Sequence, residues 1–599
     1  MKQSLFFPLL LALLTSISAF GADEYFYVRP TGDVLSWSAQ AAADPTHVIT
    51  ITDISELTPG LGMGKVFCLA KGTYAAKLFD ETPLSFYYLQ LASGEKLYGG
   101  FSGTETSINL ESRLLTDRDQ NGIVEPWEFL NETVIDGQAG TNLGTHSKRL
   151  FGIENGGEVN GLSIKNFSFG SVATAVAASA GGPIYVGSNL KTNNAAATTP
   201  PIGYDATTSG SLLNCYIFNV SSFSPQSSQG GQGGAAIVSN ISSVINNCLF
   251  EQCQSNTFNS SMGGAVYVLG NGGKIKNSIF RNNQTYFTNT TGTISRGGAI
   301  YAEAYAASDM NCTIENCVFY NNSSYGKQAL KGYGGAFRSD AVAGKRGAQI
   351  INCTFSNNFN STTGLAANNS GNVELINTGV MVNCINQGGS NGFRANTANA
   401  NYYLQSLVST VANLDMAASS TYSSILFDAT LDLGLTRPTS FNGAVFPDVA
   451  DYETKIAEIR KANYSVSKSG SFLDTNYGVA TIDLTYNSAS PAATIDITAS
   501  LPVKDITGRP RNLSKNILGA YAYGIISSVP DNVIDKSAIC AAQKSIIINN
   551  CIGNVVNVYS LTGLQIKRTV ASTDKFVIPM VNGLYIVKIG TKATKVLVN

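Results

Sequence analysis

Two short phrases alternate through the middle of this chain, and their spacing limits what it can fold into more than any other feature. One is Gly-Gly-Ala followed by an apolar strand, at Gly233-Gly234-Ala235, Gly263-Gly264-Ala265, Gly297-Gly298-Ala299 and Gly334-Gly335-Ala336, with successive separations of 30, 34 and 37 residues. The other is an apolar stretch ending in Phe with Asn three residues on: Phe280 to Asn283, Phe319 to Asn322 and Phe355 to Asn358. Phe250 keeps the spacing but has Cys253 in the Asn position. Self-similarity at such a period marks a stacked repeat. Two short strands and polar turns per repeat fit one coil of a parallel β-helix, in which each strand pairs with its counterpart in the next coil. Equivalent side chains then stack about 4.8 Å apart.

That geometry assigns the recurrent residues. Inward Ile, Val, Phe and Cys form columns, and the Gly pairs permit sharp bends between faces. The doublets Asn246-Asn247, Asn282-Asn283, Asn321-Asn322 and Asn357-Asn358 fall where amide side chains can satisfy turn backbone, coil upon coil. Cys215, Cys248, Cys317 and Cys353 share one local phrase, Asn then Cys with an aromatic just beyond. They are expected to be free, stacked core thiols and not bridges, although an exported chain with ten cysteines ordinarily suggests disulfides. Cys540 and Cys551 lie outside that array and are close enough in sequence to pair.

The interleaved phrases resemble the polymorphic outer-membrane protein repeats, whose Gly-Gly-Ala-Ile and Phe-x-x-Asn motifs belong to β-helical passenger domains associated with adhesion. The resemblance covers roughly residues 230–360 and implies an adhesin-like role. The chain departs from that family in showing no C-terminal transmembrane barrel. Toward the start, Val66-Phe67-Cys68, Gly72-Thr73-Tyr74 and Leu97-Tyr98-Gly99-Gly100-Phe101 resemble the opening coils of secreted bacterial β-helix proteins. Toward the end, Asp505-Ile506-Thr507-Gly508-Arg509-Pro510-Arg511 with Gly519-Ala520-Tyr521 resembles their closing coil. Both ends are expected to act as caps, because an open terminal coil exposes unpaired strand edges.

Composition agrees with export and excludes some partners. Lys2, the apolar run Leu5 to Leu14 and the small residues around Ala19 and Gly21 read as a signal peptide over residues 1–21. No later stretch reaches the 18 or so apolar residues that a spanning helix needs. Charged residues make up 13% and the formal net charge is −1, so the basic excess that drives nucleic-acid binding is missing. The expected chain is therefore exported without a membrane-spanning helix.

After a linker at 525–540, residues 541–599 carry short apolar strands, Ser545-Ile546-Ile547-Ile548, Val555 to Tyr559, Gly583 to Lys588 and Lys595 to Val598, around Leu561-Thr562-Gly563. They predict a small antiparallel β-sandwich. Their phrases resemble the C-terminal sorting domain of type IX secretion substrates, which implies the type IX machinery as a partner. The expected organisation is all-β: a signal peptide at 1–21, N-terminal cap and first coils at 22–140, right-handed parallel β-helix repeats at 141–420, final coils and a C-terminal cap at 421–524, the linker, and the sandwich.

Two sets of residues carry possible chemistry. Asp117, Asp119, Asn121-Gly122 and Glu128 match the twelve-residue calcium loop, with Ile123 offering its carbonyl. Alternate oxygens from one turn and a closing bidentate Glu suit a hard cation, so a structural Ca²⁺ is expected, with a metal-free Asx turn as the alternative. Pro126 and Trp127 preclude a following helix, which makes this an EF-like loop on a solenoid. Enzymatic signals are sparse, since His47 and His146 are the only histidines and residues 141–400 hold nine carboxylates. One acidic pair aligns: Glu303 and Asp340 each lie six residues after the first Gly of their phrase, with Arg338 nearby. Stacked on neighbouring coils they could serve as acid and base in a polysaccharide lyase or glycoside hydrolase. The plainer alternative is two solvated acids neutralised by Arg338, Lys345 or Arg346. The favoured expectation is a non-catalytic adhesin-like protein that binds glycans or cell surfaces, with the carbohydrate-active enzyme as its alternative.

Overall fold

The computed structural model describes residues 23–60, 62, 64–76, 87–91, 94–118, 124–137, 149–170, 182–187, 208–224, 231–257, 260–270, 272–287, 294–304, 309–310, 312–325, 331–342, 345–360, 372–377 and 379–387. Beyond these it describes the short strands 393–395, 402–404, 407–408, 414–416, 421–423 and 426–427, then 502–508, 510–511, 518–521, 539–542, 544–549, 554–560, 565–571, 575–589 and 592–598.

One circuit of the chain shows how the repeat works. From Gly-Gly-Ala the chain forms Ala236–Ser239, turns into Val244–Asn246, bends into Leu249–Glu251, continues as Gln254–Thr257 and Ser260–Met262, and meets the next Gly-Gly-Ala. It then enters Val266–Leu269, which pairs in parallel with Ala236–Ser239, Val266 opposite Ala236. Repetition of this circuit builds parallel sheets of thirteen, eleven and ten strands among the described residues, plus narrower parallel sheets of six and four. Below, the first sheet is the one containing Val244–Asn246, the second contains Leu249–Glu251, and the third contains Val266–Leu269. A solenoid with a single continuous apolar core results, running from Val28 to Cys384.

Strand pairing in register turns sequence repeats into columns. Phe250, Phe280, Phe319 and Phe355 stack face to face with centroids 4.7–5.1 Å apart and planes within 8° of parallel. The thiols follow suit: Cys317 N–H reaches Cys353 Sγ at 3.5 Å, and Cys353 N–H reaches Cys384 Sγ at 3.4 Å. Ser278 fills the position between Cys248 and Cys317, its hydroxyl accepting from Cys248 N–H. Cys68, Cys215, Cys248, Cys253, Cys312, Cys317, Cys353 and Cys384 are all buried, and burial pushes the thiols of Cys253, Cys317 and Cys353 up. Cys551 and the side chain of Cys540 lie outside the described residues.

The two members of an Asn doublet do different jobs. Asn282, Asn321 and Asn357 take φ of 57°, 52° and 50°, turning the corner in the left-handed conformation that Asn tolerates. Their neighbours point inward as a ladder. Asn283 Nδ2 donates to Asn322 Oδ1 at 2.9 Å, Asn322 Nδ2 to Asn358 Oδ1 at 2.8 Å, and each also serves the carbonyl of a Phe-bearing strand. Cys253 occupies the ladder position one coil earlier, its N–H donating to Asn283 Oδ1 at 2.9 Å. In Asn246-Asn247 the corner residue is again the left-handed one, Asn247 at φ 55°, but its partner Asn246 ends a strand.

The C-terminal region is antiparallel. Ile539–Ala542, Ser545–Asn549 and Lys575–Pro579 make a three-stranded sheet. Gln565–Val570, Val555–Ser560, Gly583–Ile589 and Lys592–Val598 make a four-stranded one. Their inner faces share a core of Ile546, Ile548, Val556, Val558, Val587 and Val598, the arrangement of a small sandwich. Leu561, Thr562 and Gly563 lie outside the described residues.

Candidate functional site: a tyrosine and charge ladder on the third sheet

Register places Glu303 directly opposite Asp340 on adjacent strands of the third sheet, as the spacing predicts. The residues two positions earlier form a second outward column, Tyr185, Ile237, Tyr267, Tyr301 and Arg338, which continues in register to Glu374. Tyr267 and Tyr301 stack 5.6 Å apart at 16°. Each tyrosine hydroxyl donates to the carboxylate of the next coil, Tyr267 Oη to Glu303 Oε2 at 2.6 Å and Tyr301 Oη to Asp340 Oδ2 at 2.7 Å.

Arginines complete the ladder. Arg338 holds Asp340 through Nε at 2.8 Å and Nη2 at 3.2 Å, and its Nη1 donates to Glu374 Oε2 at 2.8 Å. Arg296 Nη1 donates to Tyr301 Oη at 3.1 Å and stands 3.5 Å from Asp340 Oδ2. Of the basic residues that could neutralise the acids, Arg338 does so at Asp340 by direct contact. Burial, and then the neighbouring carboxylates, push the Tyr267 and Tyr301 hydroxyls well above the usual phenol range. For Arg338 burial acts in the opposite direction, but the charges of Glu374 and Asp340 outweigh it and hold the guanidinium firmly protonated.

Chemically this is a network in which each acid already has a strong donor. A general acid and base pair needs a carboxylate free to exchange a proton with a bound substrate, whereas Asp340 accepts from Arg338 twice and from Tyr301. Arg338 matters most, because Glu374 is fully buried. Arg338→Met should cost about 3–5 kcal/mol, the usual result of stripping a cation from a buried ion pair. The Arg338→Met/Glu374→Leu double variant should recover most of that loss. Urea unfolding of both variants checks this, and a single-variant loss below about 1 kcal/mol would mean that the ladder does not support the stack.

The segment Asp117 to Glu128, read as a calcium site, is described only at its two ends. Asp119, Asn121, Gly122 and Ile123 lie outside the described residues. On either side of them the chain runs together, Leu115 bridging Phe129 in antiparallel fashion. Glu128 Oε1 accepts from Arg118 N–H at 3.0 Å and Oε2 from Glu125 N–H at 2.9 Å, so its carboxylate ties the two ends of the loop together. Arg118 Nη1 anchors the loop to the solenoid through Glu132 at 2.7 Å. No group of three or more His, Cys, Asp or Glu side chains suited to a metal occurs among the described residues.

A cleft of about 490 Å³ opens where the first and second sheets meet. Its solenoid wall carries Asn247, Lys276, Asn277, Glu315 and Asn316, and its outer wall is Pro502 to Gly508. The segment resembling a closing coil thus lies along the flank of the stack. Arg511 Nη2 donates to Asn316 Oδ1 at 2.6 Å and to the carbonyls of Gly519 and Ala520 at 2.9 and 3.1 Å, while Gly519 N–H donates to the Asn383 carbonyl. Sequence reasoning had no means of finding this contact, which joins residues 195 positions apart.

Compared with known families, residues 528–598 match a domain of unknown function (DUF6383). The match falls on the C-terminal antiparallel sheets. No curated protein and no solved structure matches the chain.

Proposed function

We propose that this chain is a secreted or surface-attached adhesin, a right-handed parallel β-helix that binds glycans or cell-surface ligands without turning them over. The observation that carries the reading is the engagement of Glu303 and Asp340 by Tyr267, Tyr301 and Arg338, which makes the aligned acids part of the scaffold. Right-handedness follows from the strong preference of parallel crossover connections for that hand. Among the described residues no helix is long and apolar enough to cross a membrane. The C-terminal domain serves as a sorting module of the type IX kind, because a compact sandwich with its own core is a unit that secretion machinery can grip without unfolding the solenoid.

In this reading Ca²⁺ binds the segment from Asp117 to Glu128, whose two ends the Glu128 carboxylate joins. Millimolar calcium should raise the melting temperature of the mature chain, and Asp119→Ala should remove the increase; equal melting with calcium and with chelator would sink this part of the proposal. For the function itself, the mature protein is incubated with an immobilised glycan panel and retained protein is scored. Retention on a subset of glycans is expected, and a panel with no retention would overturn the adhesin reading.

A further inference from the structure

We propose that the cleft between Asn277 and Lys504 is the glycan-binding site, and that it takes a neutral, hydroxyl-rich, extended oligosaccharide. The inference rests on the binding role proposed above and assigns it a place and a ligand class.

Both walls of the cleft are built in advance. On the solenoid side, the corner residues Asn277 and Asn316 are locked by amide hydrogen bonds, Asn277 Nδ2 to Asn246 Oδ1 at the end of the preceding coil's strand at 2.8 Å and Asn316 Nδ2 to Asn277 Oδ1 at 3.1 Å. On the other side, Asp505 Oδ1 accepts from Thr507 N–H at 2.9 Å and Oγ1 at 2.7 Å, fixing a tight turn. Asn316 Nδ2 reaches across to the Lys504 carbonyl at 2.8 Å and Arg511 clamps the same Asn316 from its oxygen side. A ligand entering the cleft therefore meets a preformed surface and orders little chain on binding.

Charge and spacing select the ligand. Two cations, Lys276 and Lys504, face two anions, Glu315 and Asp505, so neither a polyanion nor a polycation gains on entering. Lys276 Nζ and Glu315 Oε2 form a 3.0 Å pair across adjacent coils, and both side chains keep some exposure. A vicinal diol matches such a pair, accepting from the ammonium with one hydroxyl and donating to the carboxylate with the other. Coil-to-coil stacking repeats the wall every 4.8 Å or about that, close to the advance of one sugar ring in an extended chain. The cleft volume of about 490 Å³ lies within the range of small-ligand sites.

Titration calorimetry of the mature full chain tests this with hexasaccharides of β-1,4-linked glucose, mannose and N-acetylglucosamine, and with oligogalacturonate as the anionic probe. One or more neutral probes should bind, and the Lys276→Met/Glu315→Leu variant, which removes the pair without stranding a charge, should weaken binding by about tenfold or more. The exposed control Glu111→Gln should bind as the parent does. Preference for oligogalacturonate, or parental affinity in a Lys276→Met/Glu315→Leu protein of unchanged melting temperature, would overturn the cleft assignment while leaving surface binding elsewhere intact. Absence of binding to all four probes by a chain that the glycan panel does retain would likewise overturn it, whereas loss of retention on the panel itself defeats the adhesin reading.

Discussion

Gly298→Ala should destroy the stack around it, lowering stability by more than about 4 kcal/mol or leaving the protein insoluble. A Cβ at this position would lie 1.9 Å from the Gly335 carbonyl oxygen and 2.5 and 2.6 Å from the backbone C and N of Ser323. Those atoms belong to the next coil and to the strand beside it, so no side chain can swing away to relieve the clash. The same holds one and two coils earlier, where Gly264 and Gly234 each face the following glycine's carbonyl at 1.9 and 1.8 Å. The second glycine of the phrase is therefore a spacer-free contact between coils, while the first, Gly297 at φ 62°, makes the bend. Gly508→Ala is the comparison. Its φ is 80° with nothing within 4 Å, and only the left-handed strain of about 1–2 kcal/mol applies. Urea unfolding that places Gly298→Ala within about 1 kcal/mol of the parent would show that coils can separate locally, contrary to this packing.

Asn322→Ala should cost about 3–5 kcal/mol, several times a typical side-chain hydrogen bond, because it strands partners on both sides of a fully buried ladder. Asn283 would lose the acceptor of both its N–H and its Nδ2, at 3.0 and 2.9 Å, and the Phe280 carbonyl would lose a donor at 2.9 Å. Asn322→Cys should lose less, since Cys253 already occupies an equivalent position and turns its thiol toward the Ile217 carbonyl. Equal losses for Ala and Cys would contradict the ladder as the source of the effect; thermal unfolding of the two variants side by side decides it.

Those two sites show why much of the solenoid was legible in the sequence. A coil repeats the same physical problem every circuit, and each solution is written again: Gly where backbones touch, Phe where the core is widest, Asn where the chain must turn or bridge. The tyrosine column was equally present yet overlooked, because its signal is positional. Tyr267, Tyr301 and Arg338 each stand four residues after the first glycine of the phrase, and only pairing in register shows that they share a face. Cys384 and Ser278 were missed for the opposite reason: each belongs to the thiol column by place but breaks the local phrase that announced it. The strand Gln565–Val570 escaped notice because its apolar residues are interleaved with Lys, Arg and Thr on a solvated face. The Arg511 clamp on Asn316 has no local signature at all, since its partners are backbone carbonyls and a corner amide far away in sequence.

The proposed adhesin uses its aligned acids to hold the scaffold and not to cleave glycans. This is tested most directly by incubating the panel glycans with the parent chain and with a Glu303→Gln/Asp340→Asn variant, and analysing the supernatants for released oligosaccharides by mass spectrometry. No products are expected from either protein, and the variant should melt at a lower temperature, as Tyr267, Tyr301 and Arg338 lose their charged acceptors. Oligosaccharides released by the parent and absent with the variant would contradict this and make this solenoid an enzyme.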